Sequence, residues 1–256
     1  MTKSKYYAGV DYFRLVAALL IVAIHTSPLA TYNETGDFIL TRIVARVAVP
    51  FFLMASGFFV ISRYSYNTEK LMRFVKRTAS IYGAAILLYI PINIYNGYFR
   101  MENLLPNVIK DIVFDGTLYH LWYLPASILG ALIAWYLVKR FDYKRAFIIT
   151  AMLYVIGLLG DSYYGITEQS VLLKNIYDML FQISDYTRNG IFFAPVFLVM
   201  GGFLADTKKE ITLAKSISGF GISFVLLFME AMILRNDTTV CMFSCFLVCF
   251  SCFAAF

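Results

Sequence analysis

The sequence predicts an all-α, polytopic transmembrane bundle of about eight helices with its N-terminus in the cytoplasm. Three observations carry that expectation. First, the 256 residues are 60% hydrophobic and only 15% charged, with a mean hydropathy of +0.70. An average soluble domain is about 45–50% apolar and about 25% charged, and a water-facing globule cannot bury the excess. Second, apolar runs near the ~17–25 residues needed to cross a bilayer recur along the whole chain. Third, basic residues cluster in every second connection between those runs. The net charge of +6 is therefore spread in the way that orients a membrane protein, and it gives no reason to expect a nucleic-acid partner.

The runs lie at roughly 12–31, 43–62, 79–97, 118–138, 146–164, 190–205, 215–234 and 238–256. The sixth is short and needs its flanking residues to span. Lys3 and Lys5 precede the first run. The connection at 63–78 carries Arg63, Lys70, Arg73, Lys76 and Arg77 against Glu69, that at 139–145 carries Lys139, Arg140, Lys144 and Arg145 against Asp142, and that at 206–214 carries Lys208 and Lys209. The alternate connections, 32–42, 98–117 and 165–189, balance their cations with acids. The basic set belongs inside. Many of the 19 Tyr and 24 Phe, with Trp122 and Trp135, stand at run ends, as an interfacial aromatic belt requires.

Two outer stretches, 98–117 and 165–189, contain amphipathic patches at Leu104–Ile109 and Ile176–Ile183, suited to lying on the interface or capping a cavity. The four cysteines, Cys241, Cys245, Cys249 and Cys252, share one helical face in a wholly apolar segment. With no histidine nearby they read as small packing residues rather than a zinc site, and no metal is expected. A rival reading makes the first run a cleaved signal peptide, with Ser27 to Ala30 as a small-residue cleavage site. That reading would discard the most unusual polar residues of the chain. The C-terminus stops inside an apolar run with no basic anchor after it, so a single domain over 1–256 that is truncated at that end is expected.

Those polar residues are Asp11, Arg14 and His25. At about 100° per residue, Arg14 to His25 makes about three turns plus 20°, so the three groups form one stripe, roughly 16 Å long from Arg14 to His25. Ionisable groups within a span are expensive and usually mark a pathway or a reaction site. An unperturbed imidazole has a pKa near 6.5, which suits His25 to act as a general base near neutral pH. The alternative is a histidine hydrogen-bonded across helices as packing glue. Arg14 can hold a phosphate bidentately or simply snorkel to the interface, and Asp11 can pair with it and orient it. Arg46 lies about one turn before Pro50 inside the second run, where a charge needs a partner or a wet cavity. Arg73, Lys76 and Arg77 are either a topology signal or a docking surface for phosphates. Ser56-Gly57 reads as a close-packing pair rather than a nucleophile. Pro28, Pro50, Pro91, Pro125 and Pro195 interrupt or end runs, and broken helices free backbone groups around cavities. Glu230 is a further buried-charge candidate, with no partner visible in sequence.

Several segments resemble the acyltransferase-3 family of membrane acyltransferases. They are Asp11-Tyr-Phe-Arg14 with His25, Val49 to Phe59, Arg73 to Arg77, His120 to Leu124, and Arg188 to Phe193 leading to Gly201–Phe203. They run in the family's order. Ile90 to Phe99 and Phe114 to Pro125 are similar to the membrane half of the membrane-bound serine racemases of glycopeptide (vancomycin) resistance, whose pyridoxal-phosphate racemase domain is expected to be absent here. The family usually has ten spans, against about eight here. The resemblance implies transfer of an acyl group from acyl-CoA, as co-substrate and with no bound cofactor, to a hydroxyl of an envelope glycan or small acceptor in a bacterial cell membrane. His25 would then be the base, Asp11 would orient Arg14, and Arg14, Arg46, Arg73, Lys76 and Arg77 would bind the donor. His120 and Trp122 would line the acceptor entrance. The racemase resemblance implies instead an L-serine uptake module, or an inactive fragment of one.

Overall fold

The computed structural model describes residues 8–61, 67–100, 102–207 and 212–233. These residues fold almost wholly into helices, and none of them forms a strand. Five helices are long and apolar enough to cross a membrane: Ala8–Thr26, Glu34–Val60, Thr68–Tyr95, Tyr119–Arg140 and Ala214–Ile233. The fifth and sixth expected runs form shorter helices, of 17 residues (Tyr143–Leu159) and 13 residues (Ala194–Asp206). The eighth expected run, the four cysteines, Lys3, Lys5, Arg63, Lys208 and Lys209 lie outside the described residues.

Helix α1 (Ala8–Thr26) buries only Val10 and Ala17, while Leu15, Val16, Leu19 and Val22 face outward as lipid-facing residues do. It stops where Ser27 takes a left-handed φ of 42° ahead of Pro28. The second span is composite. Asn33 caps α2 (Glu34–Phe38), with its carboxamide accepting from the Gly36 N–H. A π segment (Ile39–Val44) and a 3-10 turn (Ala45–Val47) then lead into α3 (Ala48–Val60). Pro50 explains part of this irregularity. It has no N–H for the carbonyl four residues back, which is that of Arg46, and its ring crowds that carbonyl. The regular α-helical ladder is thus interrupted at Arg46, which sits in the tighter 3-10 turn.

Helix α4 (Thr68–Tyr95) is capped by Asn67 and runs through Pro91. Outside the spans, α5 (Leu104–Lys110) continues as a π turn to Asp115, and a 3-10 turn (Tyr119–Trp122) opens α6 (Tyr123–Arg140). Helix α7 (Tyr143–Leu159) is followed by the short α8 (Tyr164–Thr167) and by α9 (Val171–Leu180). Both expected amphipathic patches fall on or next to α5 and α9, which leave Leu105, Ile109, Val171, Leu172 and Met179 exposed. Helix α10 (Ala194–Asp206) is the hub, buried from Ala194 to Gly202, and α11 (Leu213–Ile233) lies outside it.

Helix α10 packs most closely on α3, then on α6 and α7. Glycine makes the α3–α10 seam. A Cβ on Gly57 would lie 2.1 Å from the Leu198 carbonyl oxygen, one on Gly201 2.0 Å from that of Met54, and one on Gly202 2.0 Å from that of Ile61. Ser56 donates to its own helix at the Phe52 carbonyl, 2.9 Å away. The pair Ser56-Gly57 therefore serves packing, as its residue types suggested.

A polar lock ties the two outer stretches together. Lys110 pairs with Asp185, and Tyr98 donates to Asp111. Asp115 accepts from the Asp185 N–H (2.8 Å) and the Ser184 hydroxyl (3.1 Å). Asn189 donates to the Ser184 hydroxyl (3.0 Å) and the Tyr186 carbonyl (2.8 Å). Burial pushes the Asp111 and Asp115 carboxyls above the usual carboxylate range. Burial alone would lower the Lys110 ammonium, but its bond to Asp185 outweighs this and raises it.

Candidate functional site

His25 occupies the last turn of α1, beside the mouth of α6. Its ring centroid lies 5.9 Å from that of His120 and 6.4 Å from that of Tyr119, both edge-on, and Tyr89 of α4 lies 5.1 Å from His120. Three helices thus bring two imidazoles and two phenols together at the end of the bundle that the loop charges assign to the outside.

Behind these rings is a cavity of about 40 Å³, lined by His25, Arg46, Val49, Pro50, Tyr119, Trp122, Arg188 and Phe193, with Ile21 and Ile24 from α1. That volume admits a few waters or a small polar group. Two guanidiniums face it. Arg188 is 7% exposed, and its Nε has no hydrogen-bond partner among the described residues. The Nε of half-buried Arg46 is likewise sealed and unpartnered. Neither forms a salt bridge among the described residues. Arg188 is framed by rings instead, with its guanidinium 5.1 Å from Trp122, 5.9 Å from Tyr186 and 6.0 Å from Tyr119. Each such contact is worth about 0.5–2 kcal/mol. Burying an ion costs several kcal/mol, so the rings hold the charge in place without neutralising it.

Of the residues expected to act, His25, Arg46 and Trp122 line this cavity, and His120 stands beside it against the His25 ring. Arg14 and Asp11 do not join them. They pair with each other at 2.7 Å, with the Arg14 guanidinium 5.2 Å from the Phe59 ring, about three helical turns from His25. The expected stripe is therefore two separate features on one helix. Arg73, Lys76 and Arg77 are exposed in the first turns of α4, where Arg73 bonds Glu69 at 3.0 Å. Arg77 stands twelve residues, roughly 18 Å of helix, before Tyr89. Glu230, for which the sequence offered no partner, accepts from the Tyr163 hydroxyl at 2.5 Å.

The sequence pointed to Arg188 only as a loop charge within a family motif and to Tyr119 only as one of the run-end aromatics, and nothing in it singled out Tyr89. The available signal was Arg188 itself, a cation directly preceding an apolar run with no acid within two residues. Chemically, an imidazole at the mouth of a cavity can take a proton from a hydroxyl. Two guanidiniums at its floor can hold an anion or a developing oxyanion.

Comparison with known proteins fits this picture. Residues 7–256 match the Acyl_transf_3 profile, described as an acyltransferase domain. A protein of Enterococcus faecalis named amino-acid racemase is 62% identical over 236 residues, covering 92% of this chain and 33% of that protein. A second amino-acid racemase of Enterococcus faecalis is 39% identical over 250 residues, covering 95% and 36%. A serine/alanine racemase of Enterococcus gallinarum is 36% identical over 233 residues, covering 89% and 33%. The chain thus spans only 33–36% of the length of these relatives. No solved structure matches. With a matching profile across nearly its whole length and an all-helical, membrane-spanning architecture, the chain belongs to the acyltransferase-3 family of multi-pass membrane proteins.

Proposed function

We propose that this chain is a single membrane domain, residues 1–256, of the bacterial cytoplasmic membrane that transfers an acyl group from acyl-CoA to a hydroxyl on an envelope glycan or small acceptor. The observation that carries the reading is the meeting of His25 with Arg46 and Arg188 at one cavity. His25 takes the proton as the acceptor oxygen attacks the thioester carbonyl. Arg46 and Arg188 carry two positive charges, so beside a singly charged acceptor their remaining positive field stabilises the tetrahedral oxyanion. The carbon–sulfur bond then breaks, and the thiolate leaves with the proton from His25. His120 and Trp122 flank the acceptor. Arg14, oriented by Asp11, and the exposed Arg73, Lys76 and Arg77 attract the donor's phosphates at the inner face.

Membrane vesicles containing the chain, supplied with labelled acetyl-CoA, test this. Label is expected to appear in an acceptor fraction, and His25→Ala is expected to reduce transfer by about 10²–10⁴ at unchanged membrane abundance. Transfer by His25→Ala at the unsubstituted rate refutes the role of the histidine.

A second reading draws on the racemases that match most of this chain. In it the same cavity passes L-serine to a cytoplasmic racemase. Uptake of labelled L-serine into vesicles without any acyl donor separates the two, and uptake no greater than in empty vesicles refutes this second reading.

A further inference from the structure

We infer that Arg46 and Arg188 form a carboxylate-binding subsite, so that the molecule offering its hydroxyl to His25 is a small hydroxy-carboxylate rather than a neutral sugar. The inference rests on the reading of this cavity as the acceptor site and narrows its substrate class.

The argument starts from uncompensated charge. Both Nε atoms are sealed from solvent and unpartnered, and both side chains line the same cavity. Buried cations are normally paired, because an isolated one forfeits its hydration. The four described salt bridges lie elsewhere. Asp161 lines a second small cavity together with Arg188 but forms no salt bridge with it. Arg42 adds a further positive charge near Arg46. Arg46 thus feels two further guanidiniums, Arg188 and Arg42, against one carboxylate, Asp161.

The shape of the site selects the anion. The guanidinium fork matches a planar carboxylate bidentately. The remaining walls are apolar, supplied by Val49, Pro50 and Phe193. A cavity of about 40 Å³ suits a flat, singly charged group on one or two carbons better than a tetrahedral phosphate ester. The aromatic frame around Arg188 fixes the fork's direction while leaving its charge for the ligand. With the carboxylate on the floor, the ligand's hydroxyl reaches the histidines at the mouth.

Ligand binding to the purified chain in detergent, read by thermal shift at constant ionic strength, tests this without an acyl donor. The probes are L-serine and glycolate, each against its primary amide, with inorganic phosphate as a further arm. The carboxylates are expected to protect the chain and the amides are not. Arg188→Gln and Arg46→Gln are each expected to weaken carboxylate binding by at least about tenfold, the loss of one charged hydrogen bond. Arg188→Lys and Arg46→Lys keep the charge, retain part of the binding and report on folding. Amides binding as well as the acids, unchanged binding in both Gln variants, or tighter binding of phosphate than of the carboxylates overturns the subsite. Carboxylate-dependent binding without acyl transfer would refute the proposed reaction and leave the subsite standing. Acyl transfer to carboxylate-free acceptors alone would refute the subsite and leave the reaction standing.

Discussion

Gly57→Ala probes whether the site depends on the close crossing of α3 and α10. The added methyl would stand 2.1 Å from the Leu198 carbonyl oxygen, 2.7 Å from its Cα and 2.8 Å from its carbonyl carbon. Ordinary contact begins near 3.4 Å, so α10 must retreat by 3.4 − 2.1 = 1.3 Å at this point. The obstacle is backbone, so no side chain can rotate away. Gly201 and Gly202 make equally close approaches on the same seam, and tilting about Gly57 would break those contacts. Overpacking of this kind typically costs 1–3 kcal/mol, and backbone against backbone belongs at the upper end, about 3 kcal/mol. The damage reaches the cavity because Phe193, one of its walls, directly precedes α10, and Arg188 lies five residues further back. Gly83→Ala in α4 is the control. Nothing lies within 4 Å of its Cβ position, and the better helix former there gains about 0.5–1 kcal/mol. Thermal unfolding of both variants in one detergent, with carboxylate binding measured alongside, decides the matter. Gly57→Ala is expected to melt below the unsubstituted chain and lose binding, and Gly83→Ala to melt at or above it and keep binding. If Gly57→Ala is as stable as Gly83→Ala, the seam is not tight and the link to the cavity fails.

Two further outcomes follow from the outer face and from α11. Lys110→Met should leave Asp111, Asp115 and Asp185, whose oxygens lie within 4.8 Å of one another, without their countercharge. Asp111 and Asp115 have raised folded pKa values, so the folded lock holds more protons than the unfolded chain, and stability falls as pH rises through the carboxylate range. The variant's outer stretches should therefore be cut faster by protease at about pH 7 than at about pH 4–5, and pH-independent cutting would refute the assignment. In the unsubstituted chain the contribution of Lys110, whose pKa is raised, is present below its ordinary value of 10.5 and is lost as pH rises past the folded value. Tyr163→Phe removes a donor to Glu230 and should cost about 1–3 kcal/mol of thermal stability, whereas an unshifted melting curve would show that this hydrogen bond does not anchor α11.

Much of the architecture was legible in the sequence because the bilayer imposes a length on each apolar run. The first five described runs each became a helix near its expected position, and the alternation of Arg73, Lys76 and Arg77 with acid-balanced loops needs no tertiary information. His25 stood out for a similar reason, as an ionisable group deep in an apolar stretch. Helical phase and rise placed Asp11, Arg14 and His25 on one face with about 16 Å between the pair and the imidazole, but not the neighbours each end would meet, Phe59 at one and His120 at the other. Arg188 was harder to read. It sits in a connection where a cation is unremarkable, and its importance comes from Tyr119, Trp122 and Tyr186 arriving from elsewhere in the fold. The irregular turn at Arg46 was hinted at by Pro50, but which way the side chain points depends on the π and 3-10 segments, which hydrophobic periodicity does not resolve.

The separation along α1 has a mechanical consequence. Roughly 16 Å of helix divides the Arg14–Asp11 pair from the imidazole at its far end. In the proposed acyl transfer, a thioester whose charged head is retained at the basic face would have to extend a slender tether through about half the membrane to deliver its carbonyl. On that proposal the first helix would be a ruler, admitting donors by the length of their arm before any chemistry discriminates among them.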